Sequence, residues 1–232
     1  MKTFHLFLLL IFVQTPQIFS QKKSNIKLWA TYYYIPEVHH NENGINLLDH
    51  QENKTGFKLL PDDWCNACIQ GTVIVNKNQK KHILNYAGRS KKSQYDCRKC
   101  KKYKNYDGHE KTGKVLWKKS NGYGIGVNGY HLIPFRTIAV DHTIIPYGSV
   151  LYIPKAIGIE YIDMNNKKKK HDGYFFAADT GSKIKGNHID FFIGVVKENP
   201  FNFIKSNKTK PFNALLIYDE KMKSKFEKLH KL

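Results

Sequence analysis

Acidic residues are scarce in this 232-residue chain: 19 Asp and Glu stand against 38 Lys and Arg, a formal charge of +19. Where carboxylates are so few, three in one short region stand out. The cationic excess predicts attraction to something anionic, whether nucleic acid, a membrane surface or an acidic wall polymer. Cysteine is limited to four, and none precedes Cys65. No apolar run beyond the first twenty residues reaches membrane length, which excludes a multi-span membrane protein. No internal repeat is visible, and the composition excludes collagen-like and coiled-coil classes. Aromatic residues, by contrast, are plentiful at 13%. A chain so equipped can bury enough apolar surface to offset its ordering entropy, so disorder is excluded as well. The length suits one large domain, or one domain with a substantial insertion.

Lys2 precedes the short apolar run Leu6-Phe7-Leu8-Leu9-Leu10-Ile11-Phe12-Val13. A basic start, a short apolar centre and a polar exit form the layout of a secretory signal, with cleavage expected after Ser20. Residues 1–20 are therefore expected to be removed. The mature chain would carry +18, without a transmembrane or lipid anchor. It would be exported, either periplasmic or secreted and wall-associated.

The cysteines form two C-x-x-C units, Cys65/Cys68 and Cys97/Cys100. Four thiolates so spaced can close a tetrahedral zinc site, although 28 residues between the units exceed the usual ribbon spacing. An oxidising compartment favours two disulfides instead, with three possible connectivities. Either reading makes a structural staple.

Strand signals dominate the rest. Lys27 to Tyr34 is β-rich and stops at Pro36. Gly71 to Val75 and His82 to Tyr86 flank a hairpin turn at Asn76-Lys77-Asn78-Gln79. Residues 88–122 read as a Lys-rich excursion held by the second cysteine pair. Further strands are expected at 137–140, 148–153, 189–196 and 212–218. Tyr161 and Ile162 are expected to pair with Gly173 to Ala178 across a loop carrying Lys167 to Lys170. That charge run reads as a solvated loop rather than a nucleic-acid contact, since no aromatics interleave with it. About eight short strands with little helix indicate a mainly β barrel or sandwich. From Glu220, Met222, Phe226 and Leu229 recur at helical spacing and predict a short C-terminal amphipathic helix.

Asp179 ends an apolar strand, Asp190 lies within the next, and Asp141 follows a third. A carboxylate held among Ile, Phe and Val loses hydration, so its pKa rises. A general acid for a glycosidic oxygen needs that property near neutral pH. The plainer alternative is that these aspartates accept backbone N–H bonds in turns.

Ala139-Val140-Asp141, Ile145-Pro146-Tyr147-Gly148, Ala178-Asp179-Thr180-Gly181, Ile184-Lys185-Gly186 and His188-Ile189-Asp190 together resemble the 3D domain. That family is named for three aspartates and includes the membrane-bound lytic transglycosylase A type of murein-cleaving enzyme. The resemblance covers Leu132 to Gly194, and Ala30-Thr31-Tyr32-Tyr33 resembles the family's first barrel strand. It implies a double-psi β-barrel, completed by residues 131–219, with residues 21–130 supplying the first strand and an inserted cysteine-bearing lobe, and 220–232 the helix. It also implies cleavage of the β-1,4 bond between N-acetylmuramic acid and N-acetylglucosamine, giving a 1,6-anhydro product. Asp190 would act as acid and then base, oriented and tuned by Asp179 and Asp141. One carboxylate suffices there because the substrate supplies the nucleophile, whereas an ordinary glycosidase needs two.

Thr31 and Tyr33 share one face of their strand and could reach a sugar groove together. Thr180, Gly181, Lys185 and His188 are the other candidate substrate-binding residues. Each also has an ordinary structural reading, as packing or turn residues. Trp29, Trp64 and Trp117 could stack on sugars or fill a core. The expected partners are peptidoglycan glycan strands and an anionic wall surface, without nucleic acid, cofactor or active-site metal. Double-psi barrels also occur in expansin-like proteins, so a non-catalytic wall-binding module is the rival of a different class. A glycoside hydrolase using water is the rival within enzymes.

Overall fold

The computed structural model describes residues 23–196 and 198–231; the expected leader lies outside them. The strands are β1 (Lys23–Tyr33), β2 (Glu37–His39), β3 (Ile45–Leu48), β4 (Lys54–Leu59), β5 (Thr72–Lys77), β6 (Lys80–Arg89), β7 (Val115–Ser120), β8 (Thr137–Ala139), β9 (Val150–Tyr152), β10 (Glu160–Ile162), β11 (Lys168–Lys170), β12 (Tyr174–Asp179), β13 (His188–Phe192) and β14 (Phe212–Ile217). The helices are α1 (Pro61–Gln70), α2 (His109–Thr112) and α3 (Glu220–His230).

Six strands close a barrel in the order β1-β13-β8-β12-β9-β14. Two neighbour pairs, β1 with β13 and β8 with β12, run parallel, and the other four run antiparallel. This is the double-psi barrel. Alternation decides what fills it. Leu28 and Ala30 of β1, Ile189 and Phe191 of β13, and Phe175 and Ala177 of β12 meet in one buried core. The intervening residues face outward and form the floor on which the rest of the chain packs. Helix α3 caps one side of that outer surface, where Phe226 meets Phe176. Asp219 accepts the Met222 N–H at its start, an ordinary N-cap.

The lobe is a four-stranded sheet, β2-β5-β6-β7, with the hairpin β3–β4 and helix α1 beside it. Its own core gathers Leu47, Phe57, Leu59, Val73, Val75, Trp64 and Trp117 around the cysteines. Both tryptophans are fully buried there, so neither reaches a sugar. A third cluster joins the two bodies. Ile74 of the lobe packs with Tyr33, Ala139, Leu132, Ile184 and Phe192 on the barrel's outer face.

Several expectations are corrected. Helix α1 was read as no element at all. Pro61 opens it, Asp62 and Asp63 occupy its first turn, and Gly71 ends it at φ 81°. The excursion at 88–122 contains β7, which completes the lobe sheet against β6. The lysine run is not a loop: β11 pairs with β10, its lysines exposed, and Lys168 meets Glu160 at 2.6 Å. Strand β12 is left to pair with β8 and β9 inside the barrel.

The cysteine expectation is also corrected. Cys65 on α1 is bonded to Cys97, while Cys68 and Cys100 are buried thiols. One disulfide replaces the expected two, and no metal-binding cluster occurs among the described residues. The Cys100 sulfur lies 3.9 Å from that of Cys65, so all four cysteines belong to one packed knot. Intact-mass measurement after alkylation of the unfolded, non-reduced protein should find two labels per chain. Zero or four labels would contradict this pairing. Replacing Cys65 and Cys97 together by serine should lower stability by ~2–4 kcal/mol in denaturant titration.

Candidate active site

Strand register assembles the site. Thr31 of β1 lies opposite Asp190 of β13, Asp190 opposite Ala139 of β8, and Ala139 opposite Asp179 of β12. Residues directly opposite one another share a face. Thr31, Asp190, Ala139 and Asp179 therefore form one row across four strands on the barrel's outer surface. A bulge between Ala177 and Asp179 places Asp179 in that row. Ala139, between the two carboxylates in this row, projects only a methyl group.

Both carboxylates are half-buried and enclosed by protein, and burial pushes both up. Asp190 is raised to about 7, chiefly by desolvation and further by the charge of Asp179, against a hydrogen bond from Thr31. Asp179 is raised to about 6, again chiefly by desolvation. The order follows from their donors. Asp179 receives the Tyr33 hydroxyl at 2.6 Å and the Thr180 N–H at 2.8 Å. Asp190 receives the Thr31 hydroxyl at 2.7 Å. More donors favour the ionised form, so Asp179 ionises first and its charge then helps to hold the proton on Asp190. Burial beside these acids raises the Tyr33 phenol well above its ordinary value, which keeps it a donor.

Asp141 stands apart from this pair. Its carboxylate accepts from the Gly186 N–H at 2.8 Å and from the backbone and hydroxyl of Thr143. The Gly186 contact and the Thr143 bonds hold its pKa down to about 2. Asp141 thereby ties the end of β8 to the 180–187 loop.

The remaining candidates divide. Tyr33, a candidate for the groove with packing as its plainer reading, is both packed and bonded to Asp179. His188 stacks on Trp29 with ring centroids 3.6 Å apart, and its Nε2 lies 2.9 Å from the Thr31 hydroxyl oxygen. Thr180 meets Asp179 through its backbone rather than its side chain. Gly181 accepts the Ile184 N–H. Thr180, Gly181 and Lys185 line a cleft of about 530 Å³ between barrel and lobe, facing Tyr86, Arg89 and Lys118. Asp179 borders this cleft, and Asp190 lies beyond Ala139 along the same row.

Sequence reasoning missed the loop at 121–130. Gly126 lies so close to β12 that an added Cβ would be 2.2 Å from the Ala178 carbonyl oxygen and 3.1 Å from an Asp179 carboxylate oxygen. Asn85 of the lobe fixes that loop by accepting the Ile125 N–H at 2.6 Å and donating to its carbonyl at 3.2 Å. The run Gly122-Tyr123-Gly124-Ile125-Gly126 was the available signal, since glycines at alternate positions mark close backbone approach.

Comparison with known proteins agrees with this geometry. The 3D-domain family model matches residues 136–200, a span that contains all three aspartates. The resemblance read from the sequence is thereby borne out. The chain is 35% identical over 95 residues to YabE of Bacillus subtilis, whose name describes cell-wall shaping. That match takes in 36% of this chain and 19% of YabE. The fold is similar to E. coli MltA with bound chitohexaose, at a TM-score of 0.51 and 15% identity, covering 82% of this chain and 71% of that one. It is also similar to the membrane-bound lytic murein transglycosylase of Agrobacterium tumefaciens, at 0.52 and 12%, covering 86% and 76%. No helix among the described residues is long and apolar enough to cross a membrane.

Two outcomes test the site without substrate. Because the folded-state pKa of Asp190 exceeds the ordinary carboxylate value, the folded protein favours the protonated acid. Its contribution to stability is full below about pH 4 and declines as pH rises through about 7. Asp190→Asn, which mimics the neutral acid, should therefore match wild type near pH 4. At pH 8 it should be more stable, by on the order of 1–2 kcal/mol once water reaching the half-buried group is allowed for. Equal denaturation midpoints at both pH values would contradict a raised pKa. Gly126→Ala should lower the melting temperature and shift the Asp179 titration, as followed by carboxyl carbon NMR.

Proposed function

We propose that this chain is an exported murein lytic transglycosylase that cuts the β-1,4 bond between N-acetylmuramic acid and N-acetylglucosamine. The observation that carries the reading is the unequal state of the three aspartates. Asp141 is committed to Gly186 and Thr143, and Asp179 to Tyr33 and Thr180. Asp190 alone combines a single side-chain donor with a pKa near 7, so it is the group able to exchange a proton near neutral pH.

In this reading Asp190 gives its proton to the glycosidic oxygen as the bond from that oxygen to the muramic anomeric carbon breaks. The muramic 6-hydroxyl attacks that carbon, and its proton returns to the Asp190 carboxylate. A 1,6-anhydro ring forms and no water is consumed. Asp179, ionised and held by Tyr33, stabilises the positive charge that develops on the sugar. A hydrolase would need a second carboxylate to activate water or bond the sugar; Asp179, which accepts from Tyr33 and Thr180, is here assigned to charge stabilisation instead. The match of YabE to cell-wall shaping and the chitohexaose in E. coli MltA fit a glycan substrate. The net charge of +19 fits retention on an anionic wall.

Mass spectrometry of murein digested by the purified mature protein should find anhydro-muramic ends. Reducing ends instead would identify a hydrolase, and binding without release of fragments a non-catalytic wall module. Asp190→Asn should lower cleavage by ~10²–10⁴-fold while the barrel stays folded. The activity of the wild type should fall as pH rises through about 7, where Asp190 loses its proton.

A further inference from the structure

Asp190 does not end its hydrogen-bond chain at Thr31. The Thr31 oxygen is 2.7 Å from Asp190 Oδ1 and 2.9 Å from His188 Nε2. The imidazole is clamped from both sides of that line. Trp29 stacks on it at an interplanar angle of 7°, and its Nδ1 lies 3.3 Å from the Lys183 carbonyl oxygen. Trp29 and Thr31 are the β1 residues opposite His188 and Asp190 of β13, so two adjacent parallel strands hold the whole assembly in register.

We propose that His188 is a positioning residue for Asp190, joined to it through the Thr31 hydroxyl so that its ring nitrogen holds the proton on the carboxyl group. The inference deepens the catalytic reading of Asp190 and rests on it. The argument is proton accounting. A hydroxyl has one proton to donate and a carbonyl can only accept. The Lys183 carbonyl therefore calls for N–H at Nδ1, which leaves Nε2 of a neutral ring as an acceptor. Thr31 then donates to Nε2, and its oxygen is free to accept from a protonated Asp190. Every group is satisfied. When Asp190 ionises, Thr31 must turn its proton toward Oδ1. Its oxygen then faces the bare Nε2 lone pair at 2.9 Å, unless a proton moves onto Nε2. The chain thus opposes the loss of the Asp190 proton.

Burial agrees, since it pushes the His188 ring down and the Asp190 carboxyl up and so disfavours both charged forms. The ring itself contacts Trp29 and Thr31 on β1 and the Lys183 carbonyl on the 180–187 loop; the carboxylates near it are Asp190 on its own strand and, where β8 ends, Asp141, which is bonded to Gly186 and Thr143. The Lys183 ammonium is paired with Asp107. The ring's own contacts are therefore all uncharged.

The test reads Asp190 directly. In protein labelled with carboxyl-¹³C aspartate, without substrate, His188→Leu should lower the Asp190 midpoint by ~0.5–1 pH unit. The alkaline limb of murein cleavage should move down equally, a ~3–10-fold loss of rate above it, one unit being tenfold. In a Thr31→Val background, His188→Leu should shift neither, because the link is gone. His188→Gln, whose side-chain oxygen can accept from Thr31 as Nε2 does, should shift the midpoint less than Leu. Thermal unfolding and backbone NMR establish that each variant folds. If His188 only packs, the Asp190 midpoint will stay within 0.2 unit in folded His188→Leu, or will shift as much with Thr31→Val as without it. Either result overturns the inference. Absence of cleavage with an intact NMR shift would instead overturn the transglycosylase reading and leave the coupling standing.

Discussion

Two half-buried carboxylates are screened from water on the outer face of a barrel, and much of the structure answers that constraint. An open barrel surface would hydrate Asp179 and Asp190 and return them to ordinary acids. The lobe prevents this by packing Ile74 against Tyr33, Ala139 and Phe192, beside the row that carries both aspartates. The glycine loop adds a second screen, its backbone pressed against Asp179 where no side chain would fit. An apolar contact between two bodies is in this sense an electrostatic device. It sets the dielectric in which the proton is held.

Within that environment, hydrogen-bond donors distinguish two otherwise similar acids. Strand β1 supplies one donor to each through residues two apart on the same face, Thr31 to Asp190 and Tyr33 to Asp179. The additional backbone donor at Thr180 makes Asp179 the better anion. Asp141 is the contrasting case. Three bonds from the 143 and 186 backbone and the Thr143 hydroxyl hold it ionised, and they fasten the loop between β12 and β13. The same residue type thus performs three tasks, because burial and donor count differ at each position.

The lobe has its own core, built on a disulfide, two buried thiols and two buried tryptophans. That independence suits its position. A wall of the cleft that borders Asp179 must hold its shape without borrowing packing from the barrel interior, which the barrel's own side chains already fill. Arg89 and Lys118 on that wall and Lys185 opposite give the cleft a cationic lining. The expressed charge of the sequence is thereby carried to the site as well as over the surface.

The sequence by itself determined the barrel strands, the C-terminal helix and the three aspartates, because each rests on local pattern. Short β-rich apolar runs mark β1, β12, β13 and β14, a helical stripe marks α3, and the short motifs around Asp141, Asp179 and Asp190 follow one another in order. It left the lobe mostly unread. Helix α1 hides its apolar face in Trp64, Cys65, Ala67 and Cys68, and the cysteines there drew attention as a staple. Alternative partners for four thiols differ only in three-dimensional distance, which no spacing reveals. The tertiary structure alone decided that Tyr33 bonds Asp179, that Asp141 bonds Gly186, and that the Thr31 hydroxyl lies between Asp190 and His188. Those relations join residues 45 to 159 apart in sequence, and only barrel closure sets their register. A side chain's chemistry is written in the chain, but its pKa depends on which distant groups exclude water from it and which donate to it.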